Sequence, residues 1–159
     1  SRSPLCACYD SLITMSLENI YDTISNKWVV ATPEEKIRQY WLTLMKEQLG
    51  YPEELISVEK SLKHFTQENF HLDRRLDILS FTKNQEGEMA PLLIIECKAI
   101  PLTYNALKQV AGYNHYIGAS FIAIANQKEI QLGWYDESKK DLSFIKHLPT
   151  YETLLKAIG

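Results

Sequence analysis

Apolar and polar positions along this chain fall into runs whose spacing marks one element after another. From Ser16 onward, Leu17, Ile20, Tyr21 and Ile24 recur at helical intervals, and Trp28, Val29 and Val30 form a short segment able to pack beside a longer helix. That helix has a marked start: Thr32 suits the N-cap, Pro33 the first helical position and Glu35 the third, a capping box. Ile37, Trp41, Leu44, Met45 and Leu49 carry it forward until Gly50 stops it. At about 100° per residue, Glu34 falls near the middle of the stripe made by Ile37, Trp41 and Met45, and Glu35 at its edge. Glu34 is therefore expected to face inward together with Arg38, and Glu35 to serve the cap.

Strand patterns follow. Ile56, Val58 and Leu62 alternate as one face of a half-buried strand, and Arg75 to Phe81 is a second strand-like run in which Asp77 takes a position that packing alone would give to valine. A polar connection from Lys83 to Ala90, with Gly87 in it, suits a turn between antiparallel neighbours. Residues 91–98, Pro-Leu-Leu-Ile-Ile-Glu-Cys-Lys, read as a strand buried on both faces. Alternation puts Glu96 and Lys98 on the face of Leu92 and Ile94, and Cys97 on the other. A helix then runs from near Thr103 to about Ile117, packing through Leu107, Val110 and Ala111, with Gln109 and Tyr113 one turn apart on a shared side. Ser120 to Asn126 is a buried strand whose helical connection implies parallel pairing. Ile130 to Asp136 reads as a last strand, and Tyr151 to Ile158 as a closing helix. The pattern predicts an α/β fold with a central mixed β-sheet flanked by helices: a helix, three largely antiparallel strands, a crossover helix, then one or two more strands. Residues 1–30 are expected to be an arm with a short helix, and residues 31–159 a single domain.

Composition narrows the class. A chain of 159 residues with 45% hydrophobic content can bury the core of one domain. Its formal net charge of −3 argues against a general nucleic-acid coat protein, so nucleic acid must be met by a local patch. Such a patch is suggested between residues 60 and 75, where Lys60, Lys63, Arg74 and Arg75 are interleaved with Phe65 and Phe70. Three cysteines form no disulfide framework and favour a reducing, cytoplasmic setting. No apolar run is long enough for a membrane span, and residues 1–14 do not resemble a signal peptide.

A carboxylate on one strand followed by Glu-x-Lys on the next is a constellation for divalent-metal phosphodiester chemistry: hard oxygen ligands for the ion and an ammonium beside the reacting phosphate. In this order the chain resembles the PD-(D/E)xK nuclease superfamily. Thr-Pro-Glu-Glu-Lys-Ile-Arg-Gln at 32–39, Gly-Tyr-Pro at 50–52, Arg-Leu-Asp-Ile-Leu at 75–79, Glu-Cys-Lys at 96–98 and Gln-Val-Ala-Gly-Tyr at 109–113 follow one another as in the N-terminal nuclease region of type I restriction enzyme R subunits. The resemblance spans roughly residues 20 to 150. One departure stands out: Ala125-Asn126-Gln127 occupies the place where such domains usually carry Thr-Asn-Gly.

The resemblance implies a restriction-endonuclease-like core and Mg²⁺-dependent hydrolysis of nucleic acid, DNA rather than RNA, with Mn²⁺ as a possible substitute ion. Asp77, Glu96 and the Cys97 backbone carbonyl would be the metal ligands, and Lys98 would position the attacking water. Glu34 would complete the site from the first helix. Gln109 and Tyr113 would order it from the crossover helix. A protein partner or a homo-oligomer is compatible with this kinship. The competing expectation is a binding or regulatory module of a larger complex that keeps the fold without catalysis. Without metal, Asp77 and Glu96 are expected to repel one another, with Lys98 offsetting part of that cost.

Overall fold

The computed structural model describes residues 18–61 and 75–159. Two short strands open it, β1 (Asn19–Asp22) and β2 (Lys27–Val30), paired antiparallel. The helical spacing around Ile20 and Ile24 is thus overridden. Asp22 caps the turn, accepting from the Ile24 N–H at 3.0 Å and from the Ser25 hydroxyl at 2.8 Å, and this local bonding favours a hairpin over a helix. Helix α1 (Pro33–Glu47) begins as expected, with Thr32 Oγ1 accepting the Glu35 N–H at 3.1 Å.

A 3₁₀ turn (Glu53–Leu55) leads into the main sheet, which holds β3 (Ile56–Ser61), β4 (Arg75–Lys83), β5 (Met89–Cys97), β6 (Phe121–Ala125), β7 (Ile130–Asp136) and β8 (Asp141–Ile145) in chain order. Every neighbouring pair is antiparallel except β5 with β6, which are parallel and joined across α2 (Tyr104–Ile117). Helix α3 (Tyr151–Ile158) closes the chain. The fold is α/β, with a mixed six-stranded sheet where five strands at most were expected. The added strand is β8, whose pattern is weak because it is a half-exposed edge.

Two cores cover the sheet. On one face Ile37, Trp41, Leu42 and Met45 of α1 and Leu154 of α3 pack on Ile78, Leu93, Ile95 and Cys97. On the other, Leu107 and Val110 of α2 pack on Leu79, Ile94, Ile122 and Ile124. Cys97 and Ile94 therefore lie on opposite faces, as alternation requires, but Leu92 packs on the α1 side rather than with Ile94. The β4–β5 register shifts between Ser80 and Phe81, and that irregularity interrupts the alternation at Leu92. On the α2 side, β7 comes in close through Gly133, where an added Cβ would stand 3.1 Å from Leu107 Cδ2. None of the described helices is long and apolar enough to cross a membrane.

Candidate metal centre and its arginine

The residues of interest gather at the carboxyl end of β5. The last rung of the β4–β5 ladder pairs Ile78 with Ile95, and the next residues on the two strands are Asp77 and Glu96. The Cys97 N–H donates to Asp77 Oδ2 at 2.8 Å, holding the two strands together at that point. Glu96 is buried, 9% exposed, and its rung partner on β6 is Ile124. Lys98 follows immediately after β5, half-buried, with its backbone N–H donating to Ala125 O at 2.9 Å. Cys97 faces the α1 core, where burial first, and Asp77 next, push its thiol well above the usual cysteine range, so its side chain stays a neutral packing group.

The first helix contributes differently from expectation. Glu34 is exposed, and Glu35 is the inward acid, 4% exposed. Ile37, Trp41 and Met45 share the buried side with Glu35, Arg38, Gln39 and Leu42, so the centre of the buried face lies one residue past Glu34. Arg38 pairs with Glu35 rather than Glu34. Having given its N–H to Thr32, Glu35 turns its carboxylate inward, accepting from Gln39 Nε2 at 2.8 Å and pairing with Arg38 Nη1 at 2.6 Å.

Arg38 is the centre of this arrangement. Besides Glu35, its Nη1 donates to Glu59 Oε1 at 2.9 Å and its Nη2 to Asp77 Oδ1 at 3.0 Å. One buried guanidinium thus ties α1, β3 and β4 through three carboxylates. Burial alone would lower its pKa; Asp77, Glu35 and Glu59 outweigh that and raise it, so it stays charged. Glu59 was not singled out in the sequence, where it reads as an ordinary outward position. It sits at φ +52°, a left-handed conformation rare for glutamate and costing about 1 kcal/mol or more, between the rungs Val58–Ile78 and Lys60–Leu76 and so level with Asp77.

Asn126 is the other residue whose role the sequence concealed. Buried at the end of β6, it accepts the Trp41 Nε1–H at its carbonyl, donates through Nδ2 to Ile100 O at 3.2 Å, and caps the Lys128–Glu129 turn with Oδ1. It therefore fastens α1 and the segment after Lys98 to the sheet. Gln127 is exposed, beside a cavity of about 490 Å³ lined by Lys36, Ile37, Tyr40 and Ala99. On α2, Gln109 is exposed and Tyr113 is half-buried against the core of that face. The suggested basic stretch from Lys63 to Arg74 lies outside the described residues, as do residues 1–17.

Among the described residues, no three His, Cys, Asp or Glu side chains are grouped as a ready metal cage. The donor chemistry nevertheless suits a hard divalent ion. Asp77 and Glu96 are each the next residue beyond the Ile78–Ile95 rung, and each Asp77 oxygen spends one lone pair on a protein donor and keeps another.

No curated protein and no solved structure matches the chain. A family model does match, over residues 33–149, the span that holds α1, Asp77, Glu96, Lys98 and the six strands of the main sheet. By that match the chain belongs to the family described as the type I restriction enzyme R protein N terminus.

Proposed function

We propose that the protein is a Mg²⁺-dependent nuclease of the PD-(D/E)xK type, acting on DNA. The observation that carries this reading is the Cys97 N–H bond to Asp77, which sets that carboxylate beside the Glu96-Cys97-Lys98 segment at the carboxyl end of a buried strand with a parallel neighbour. Asp77, Glu96 and the Cys97 carbonyl would hold Mg²⁺. When bound there the ion supplies Lewis-acid polarisation of the phosphate and eases deprotonation of water. Lys98 orients the attacking water and offsets the charge that develops on the phosphate oxygens. Glu35, rather than Glu34, is the acid that α1 brings to the site, acting through Arg38. Asn126 keeps the segment after Lys98 in place. Gln109 and Tyr113 order the site from α2. Family membership adds support, since R proteins belong to restriction enzymes.

The test is cleavage of single- and double-stranded DNA and RNA in Mg²⁺, in Mn²⁺ and in chelator, by the wild type and by Lys98→Ala. Metal-dependent cleavage of DNA that disappears in Lys98→Ala is expected, with metal affinity largely kept because the lysine is no ligand. Equal cleavage by both proteins would place the chemistry elsewhere. Nucleic-acid binding without turnover in either metal would make the protein a binding module.

A further inference from the structure

Arg38 presents an unusual economy of charge. It is 6% exposed, and three carboxylates converge on it from α1, β3 and β4. One of them, Asp77, is also the residue proposed to hold the divalent ion, and it gives Arg38 its Oδ1. A divalent ion held by that carboxylate would compete with the guanidinium for it and be repelled by its charge. The guanidinium has somewhere else to go: Glu35 and Glu59 already hold its other nitrogen, Nη1, and remain as acceptors if Asp77 is withdrawn. Glu59 keeps a left-handed backbone level with Asp77, in position to retain Arg38.

We propose that Arg38 is the built-in counter-cation of the metal-free site, holding Asp77 in place of the divalent ion and loosening that hold, while kept by Glu35 and Glu59, when the ion binds. This rests on the proposed metal site. Arg38 thereby sets how tightly the ion is bound: its charge prevents carboxylate repulsion in the empty protein, and the ion must displace it from Asp77.

The experiment compares the wild type, Arg38→Met and Arg38→Lys for Mn²⁺ affinity by calorimetry and for Tm in chelator and in Mn²⁺. Arg38→Met should melt lower in chelator, gain more Tm from Mn²⁺ than the wild type, and bind Mn²⁺ about tenfold tighter or more. Arg38→Lys, whose single ammonium cannot fork between Glu59 and Asp77, should bind Mn²⁺ more tightly than the wild type by a smaller factor. Should Arg38→Met fail to fold in both conditions, Arg38→Lys decides by the same sign. Folded variants that bind Mn²⁺ no tighter than the wild type would overturn the proposal alone and leave Arg38 a strut for Asp77. Absence of Mn²⁺ binding in all three proteins would overturn the metal site as well.

Discussion

Arg38 and Asp77, 39 residues apart in the chain, meet as an ion pair with Nη2 3.0 Å from Oδ1, while the other oxygen of Asp77 accepts the Cys97 N–H at 2.8 Å. Asp77 is therefore held by attraction between a helix and a strand. A guanidinium from α1 neutralises the aspartate that the second strand of the sheet presents.

This pairing reverses the expected effect of removing the charge of Asp77. Asp77→Asn keeps the shape but loses a charge-assisted bond to a buried cation, so it should destabilise the protein in chelator by about 1 to 3 kcal/mol. Glu35 and Glu59 limit the loss by keeping Arg38 paired. Denaturant unfolding of both proteins in chelator checks this, and a variant as stable as the wild type would mean that the Arg38–Asp77 contact contributes nothing net.

The two adjacent glutamates should separate in the same assay. Glu34 is exposed, so Glu34→Gln should change stability by no more than about 0.5 kcal/mol. Glu35→Ala removes a buried carboxylate from both Arg38 and Gln39 and should cost about 2 to 4 kcal/mol. Glu35→Gln should also lower DNA cleavage while Glu34→Gln leaves it unchanged. The reverse ordering in melting and kinetics would restore Glu34 to the inward position.

How far the sequence disclosed these features depended on whether the signal was local. Thr32 and Pro33 announced α1 because capping is settled within a few residues. The run from Leu92 to Cys97 announced β5, and the helix between β5 and β6 implied their parallel pairing. Asp77 and Glu96 were legible as interruptions of apolar strands. Glu59 was not, because its meaning comes from a backbone angle and from a partner on another element. The Glu34–Glu35 ambiguity is a rotation of about 100° per residue, which a sparse stripe cannot fix when Arg38 and Gln39 are themselves buried. Asn126 read as the end of a buried strand, and its bonds to α1 and to the segment after Lys98 are long-range.

Acid should loosen the opening hairpin. Burial opposes ionisation of Asp22, but hydrogen bonds from the Ser25 hydroxyl, the Ile24 N–H and Gln39 together hold its carboxyl below the usual aspartate range. A depressed folded value means that the unfolded chain takes up the proton first. The stabilisation is therefore complete above the ordinary aspartate value of about 3.9 and fades as the pH falls through the lower folded value. Asp22→Asn should remove this portion of the acid dependence and lower stability at neutral pH. Stability followed between pH 2 and pH 6 in both proteins tests it, and identical slopes would show that Asp22 is not linked to folding.

Gln109 offers the cleanest separation of function from architecture, because its side chain is exposed on α2. Gln109→Ala should leave stability within about 0.5 kcal/mol of the wild type, so any loss of cleavage reports on the site and not on folding. The kinetics then distinguish two roles for it. A glutamine that orders the catalytic groups acts in the transition state and lowers kcat with KM little changed, whereas one that only touches the nucleic acid raises KM at constant kcat. The lowered kcat is expected from the ordering role proposed for Gln109, one helical turn from Tyr113 on α2. Lys108→Ala, an exposed neighbour on the same helix, serves as the control that a general loss of positive charge would move. Unchanged kcat and KM in Gln109→Ala, beside an active wild type, would remove α2 from the proposed site and leave the chemistry to Asp77, Glu96 and Lys98.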